Sequence, residues 1–200
     1  MEILSLQNII INGLTVQVGE QLYKGRDCFP ILCNTLENYL IELAEKHPEA
    51  EDIVIIDNAF QRFTDTYQSE FGHYFRSLHN ILRVIDEANI GVTNDNKPYP
   101  MSYEKEERRK YAHTLRAQLS TFELILLYYH CTWNPEEKHF KTLIEKYTML
   151  DNLDTAILPF PGGRETDPAE PRFRKRKQRL YASSAFGMNK QNRIARITLN

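Results

Sequence analysis

Few of the short motifs by which enzymes are named occur in this chain of 200 residues. There is no GxGxxG and no GxxxxGKS/T, so nothing points to a dinucleotide fold or a P-loop. HExxH and the GxSxG of a nucleophile elbow are also missing. Cysteine is scarce. Cys28, Cys33 and Cys131 are odd in number and lack CxxC spacing, which speaks for reduced thiols packed as small hydrophobes in a cytosolic protein. No apolar run approaches the roughly 18 residues that a membrane span requires, and the start, MEILSLQNIII, lacks the basic region and cleavage site of a signal peptide. No repeat period is visible. A net charge of only −2 argues against a wholly basic nucleic-acid coat. The expectation is a cytoplasmic protein with no membrane segment in this chain, no metal and no cofactor.

What the chain does have is helical periodicity. Residues 103–131 (YEKEERRKYAHTLRAQLSTFELILLYYHC) contain neither Pro nor Gly and read as one long helix, charged at its start and apolar at its end. Within it His113, Arg116, Ser120 and Glu123 recur at steps of three and four, which places them on one helical face. A polar stripe entering an apolar helix needs partners, because an unpaired buried charge is costly. It is either a structural network or a ligand site. Residues 50–89 give a second long helix with Gly72 inside it, carrying His73, Arg76, His79 and Asn80 among Phe75, Leu78, Leu82 and Ile85. Packed together, the two helices are expected to share a polar interior of His73, Arg76, His79, His113, Arg116, Gln118, Ser120 and Glu123, which demands anions: Glu70, Glu123 or a phosphate.

The remaining segments fit around this pair. Residues 2–12 read as a short helix stopped by Gly13, with a strand as the rival because of the triple Ile and the alternation at 15–18. Gly19 and Gly25 mark a loop. Asp27 and Pro30 open a helix over 28–47 that Pro48 ends. Residues 90–101 form a loop, and Asn134-Pro135-Glu136-Glu137 starts a last helix that closes near Leu150. Residues 158–171 are rich in Pro and Gly. The run 172–179 then carries six basic residues, Arg172, Arg174, Lys175, Arg176, Lys177 and Arg179. That run is either a contact for nucleic acid or another polyanion, or a solvated segment. Residues 181–187 return to apolar character and can dock on the body. The fold expected is mainly α: a single-domain antiparallel bundle of about five helices, with a small β element near a terminus. Residues 1–157 form the helical domain, and 158–200 a Pro/Gly loop and basic segment packing on it or extending from it.

Several segments together are similar to the phage abortive infection family of bacterial defence proteins, the AbiC-like group. They are YKGRDCF at 23–29, GHYFRSLHNILRVI at 72–85, YAHTLRAQLSTFELILLYY at 111–129, FKTLIEKYTMLDNL at 140–153 and SAF at 184–186. The family pattern singles out Tyr74, Arg76, Arg116, Gln118, Ser120 and Glu123. The resemblance implies a protein that limits phage propagation and supplies no settled reaction. The basic run and the lack of catalytic motifs favour a sensor that recognises a phage component or a nucleic acid and acts through a partner defence protein, with an effector as the alternative. The resemblance also implies membrane-spanning helices ahead of this region in many relatives. A second, shorter resemblance concerns Arg108 and His113, whose Arg-x4-His spacing looks like the motif of HEPN-type ribonucleases, although Arg109 follows where a polar Asn, Asp or His is more typical. It implies a metal-independent homodimer in which histidine moves a proton and arginine stabilises phosphorane charge.

Overall fold

A computed structural model describes residues 2–89, 91, 99–133, 138–154, 157–159, 181 and 183–186. The first helix, α1 (Glu2–Gly13), ends at its glycine. A hairpin follows at once: β1 (Thr15–Val18) pairs antiparallel with β2 (Gln21–Lys24), Thr15 opposite Lys24 and Val18 opposite Gln21. Its two-residue turn has Gly19 at φ +60, a conformation that side chains rarely adopt. Helix and strand, weighed as rivals near the start, are thus both present in succession. The second strand lies where only a loop is read from Gly19 and Gly25.

A 3-10 turn (Gly25–Asp27) leads into α2 (Cys28–Lys46). Cys28, Phe29, Leu32, Cys33, Leu36 and Leu40 form the buried stripe of α2 at steps of three and four. The spine of the molecule is α3 (Asp52–Glu87), 36 residues long and so roughly 54 Å at 1.5 Å per residue. It buries a stripe from Ile55 to Ile85 and contacts α1, α2, α4, α5 and α6. The helix runs unbroken through Gly72, where an added Cβ would meet nothing closer than the Gln68 side chain at 3.5 Å.

The expected single helix over 103–131 is two helices. They are α4 (Met101–Arg116) and α5 (Thr121–Trp133), with the break at 117–120. The cause is an S-x-x-E capping box in the middle of the stretch. The Ser120 N–H donates to Glu123 Oε2 at 2.7 Å, and the Glu123 N–H to Ser120 Oγ at 3.3 Å. A helix start stronger than the continuing propensity ends α4 with neither Pro nor Gly. The two helices also live in different surroundings: α4 buries only Ala112 and Leu115, whereas α5 is buried without interruption from Glu123 to Cys131.

The last helix, α6 (Lys138–Lys146), buries Phe140, Leu143 and Ile144. It stops short of Leu150 in a Schellman turn, Met149 N–H to Ile144 carbonyl at 3.0 Å and Thr148 N–H to Glu145 carbonyl at 3.4 Å. Thr148 sits there at φ +54, where glycine is usual. The start read at Asn134–Glu137 lies outside the described residues, as does the basic run 172–179. The segments on either side of that run are docked. The Tyr129 hydroxyl donates to the Pro159 carbonyl, and the Tyr181 hydroxyl to the Tyr128 carbonyl at 2.9 Å. Ala185, in a 3-10 turn (Ser183–Phe186), is fully buried and accepts from Leu150 N–H at 3.0 Å. Among the described residues six helices and one hairpin make a mainly α protein. No described helix is long and apolar enough to cross a membrane.

Candidate functional site: a buried carboxylate beside a cleft

Glu123 has 1% of its surface exposed. A carboxylate so placed loses its hydration and must be held by donors. It has three. Oε1 accepts from the Tyr74 hydroxyl at 2.6 Å, and Oε2 from the Ser120 N–H and from Arg26 Nη1 at 3.3 Å. Its position in the first turn of α5 adds the favourable end of the helix dipole. Arg26 comes from the 3-10 turn after the hairpin and also donates to the Gln118 carbonyl at 3.0 Å, bracing the break between α4 and α5. Burial, and next the Glu123 carboxylate, push the Tyr74 hydroxyl well above its ordinary pKa, so it stays a protonated donor. Gln7 of α1, buried, stands against the same hydroxyl, and the Phe29 ring packs edge-on to Tyr74 at 4.9 Å. Four helices and the turn after the hairpin thus meet around Tyr74 and Glu123.

Tyr74 also lines a cleft of about 260 Å³. One side is Ile10, Gly13, Leu14 and Thr15, from α1 and the start of the hairpin, and the other is Ser69, Glu70 and His73 of α3. The Ser69 hydroxyl donates to the Glu70 carboxylate at 2.6 Å. Arg76 Nη2 lies 3.0 Å from His73 Nδ1. A guanidinium can only donate, so His73 here is the neutral tautomer with its proton on Nε2. The cleft therefore offers a carboxylate, an imidazole N–H and a hydroxyl against an apolar wall.

The other residues read from the sequence stand elsewhere. Ser120 and Glu123 share the network, Gln118 enters it only by its backbone carbonyl, and His73 and Arg76 pair at the cleft. Arg116 turns to the end of α6. Its Nη1 donates to the Thr148 carbonyl and hydroxyl at 2.8 and 2.9 Å and faces Asp151 at 3.4 Å. His79 meets His139 of α6 at 3.0 Å. His113 is half-buried, and burial, then Arg116 and Arg109, depress its pKa below the usual imidazole value. Arg108 donates through Nε and Nη2 to the Ala88 carbonyl at 3.2 and 2.9 Å and to Glu104 at 3.2 Å, satisfying the end of α3. Five residues along a helix rotate by roughly 140°, so Arg108 and His113 leave α4 in different directions. The single polar interior expected from the sequence is thus divided among the Glu123 network, the cleft rim, the Arg116 corner and the α3–α6 seam. Arg26 and Gln7 were missed. The S-x-x-E signal at 120–123 was available, but nothing in the sequence announces that a hairpin returns Arg26 to it. Among the described residues no group of three or more His, Cys, Asp and Glu converges as a metal site.

Residues 66–157 match the model of a family described as "Putative phage abortive infection protein". No curated protein and no solved structure matches the chain. Tyr74, Ser120 and Glu123 fall inside the matched region, while Arg26 joins their network from outside it and Gln7 stands beside Tyr74. Over residues 66–157 this chain is thus similar to the AbiC-like family of phage abortive infection proteins, the family that the sequence resemblance implied.

Proposed function

We propose that this chain limits phage propagation as a recognition module, engaging a phage component at the cleft beside Tyr74 and acting through a partner defence protein. The observation that carries this reading is the pairing of a fixed polar anchor with an open recess. Tyr74 is held by Glu123 from behind and lines the cleft together with Glu70 and His73. Specific pockets are built in this way, with a few oriented polar groups on an apolar wall. The basic run, Arg172 to Arg179, supplies a separate polyanion contact in this reading, by counterion release from a nucleic-acid backbone.

A ribonuclease reading has one observation in its favour. A His113 with depressed pKa is largely neutral near pH 7 and able to accept a proton. Against it, Arg108 is engaged by Ala88 and Glu104. One experiment separates the two. Phage plating efficiency and cellular RNA integrity are measured in cells expressing Glu70→Gln, His73→Gln, His113→Ala or a charge reversal across 172–179, each checked for folding. Recognition at the cleft predicts lost protection for Glu70→Gln and His73→Gln, intact RNA throughout and full protection by His113→Ala. RNA cleaved on infection by the unaltered chain but not by His113→Ala would overturn it in favour of the nuclease.

A further inference from the structure

His79 projects from α3 and His139 from α6, sixty positions later in the chain, and their Nε2 and Nδ1 atoms stand 3.0 Å apart. We infer that this pair is a binding site for a divalent first-row transition-metal ion, which clips α6 to α3. At a metal–nitrogen length of roughly 2.0–2.1 Å, two nitrogens so spaced subtend about 91–97° at a common ion. That is the angle between adjacent ligands in a tetragonal or octahedral sphere and is tighter than a tetrahedral one. It favours Cu²⁺ or Ni²⁺ over Zn²⁺, the order that imidazole affinity also follows.

The pair is also built to hold such an ion. The His79 ring is stacked on buried Phe140, centroids 4.8 Å apart and planes 11° from parallel. Phe140 directly follows His139, so one ligand is fixed by the residue that carries the other. His139 is exposed, so its ring can reorient as the hydrogen bond is exchanged for two bonds to one ion. In the metal-free state the two nitrogens share a proton. On binding, that proton leaves the shared position, for the other nitrogen of its ring or for solvent, so that both lone pairs face the ion. Oxygen donors from water complete the sphere. Further along the same seam Lys146 and Tyr147 both reach Asp86, so the ion would add a second fastening to a junction already tied at its other end.

The test uses the purified full chain, stripped of metal by a chelator and dialysed against NiCl₂, CuCl₂ or MgCl₂. One Ni²⁺ or Cu²⁺ bound per chain is expected, with a melting temperature that rises with ion concentration and falls back on adding EDTA. Mg²⁺ should change nothing. His139→Gln alters an exposed side chain and is expected to melt like the parent without metal, yet to bind at least about tenfold more weakly. His79→Gln should do the same. No saturable binding by the parent, or undiminished binding by His139→Gln, would overturn the assignment. Binding that survives in His139→Gln but is lost on charge reversal at 172–179 would overturn it equally, by placing the ion elsewhere.

Discussion

The side chain on which most of this structure turns is Glu123. Its donors come from α3, from the turn after the hairpin and from its own helix start, so losing it leaves several groups stranded at once. Glu123→Ala is expected to lower the unfolding free energy by about 2–4 kcal/mol, and Tyr74→Phe by about 1.5–3 kcal/mol, as for hydrogen bonds to a buried charge. Urea denaturation of both and of the double variant measures this; strictly additive losses would show that the two groups do not act together. A second expectation at this scale concerns pH. His113 has a folded-state pKa below its ordinary 6.5, set first by burial and then by Arg116 and Arg109. The unfolded chain therefore binds more protons just below pH 6.5, and stability must fall as the solution is acidified through that window. His113→Gln should flatten this part of the stability profile, and an unchanged slope would refute the assignment. The sequence revealed these residues unevenly. Ser120 and Glu123 stood out because their spacing of three is that of one helical face. Arg26 did not, since its partners lie more than ninety positions away and depend on a hairpin that returns the chain to them.

Among the elements, the break between α4 and α5 is the instructive one. Periodicity and the absence of Pro and Gly suggested a continuous helix, and both observations are true. What they omit is that a reciprocal cap satisfies backbone donors which a continuing helix would satisfy equally well, so the capping box can end a helix at little cost. The long helix α3 behaved as its pattern indicates, and Gly72 inside it is a soft spot with no steric duty. Gly72→Ala should stabilise the protein by about 0.5–1 kcal/mol, because the new methyl meets only Gln68 at ordinary contact distance. A loss of stability in thermal or urea melts would mean that something else needs the space. The end of α6 offers a sharper test. Thr148 occupies a left-handed conformation that a β-branched residue adopts at a cost of order 1 kcal/mol, and its hydroxyl accepts from Arg116. With Arg116 present, Thr148→Gly relieves strain and loses that bond, leaving stability nearly unchanged. In an Arg116→Ala background only the relief remains, and Thr148→Gly should stabilise by about 1 kcal/mol. Equal effects in the two backgrounds would show that Arg116 does not hold Thr148 in place.

At the scale of the whole molecule, composition and helical period carried the reading to a mainly α chain with a small β element near one end. They left open whether residues 158–200 pack on the body or extend from it. Leu158 and Ala185 have no exposed surface, Tyr181 has 4%, and consecutive residues of α5, Tyr128 and Tyr129, bond to Tyr181 and Pro159. Leu158, Tyr181 and Ala185 are thus packed into the core, and the segments that carry them are bonded to α5, the most hydrophobic of the described helices. Patterning alone cannot show this, because residues so few and so widely spaced have no period. It follows that a chain ended after residue 157 should retain its helices but lose stability. Uncovering one leucine and one tyrosine costs about 3–5 kcal/mol by buried apolar area. Circular dichroism and thermal melting of that truncated chain measure both quantities. Tyr181→Ala in the full-length protein is the companion variant, since it removes the docking contact and leaves the basic run in place. A truncated chain as stable as the parent, together with a silent Tyr181→Ala, would make 158–200 an appendage. A large loss in both would make the C-terminal residues part of the core that holds α5, and with it Glu123, in position.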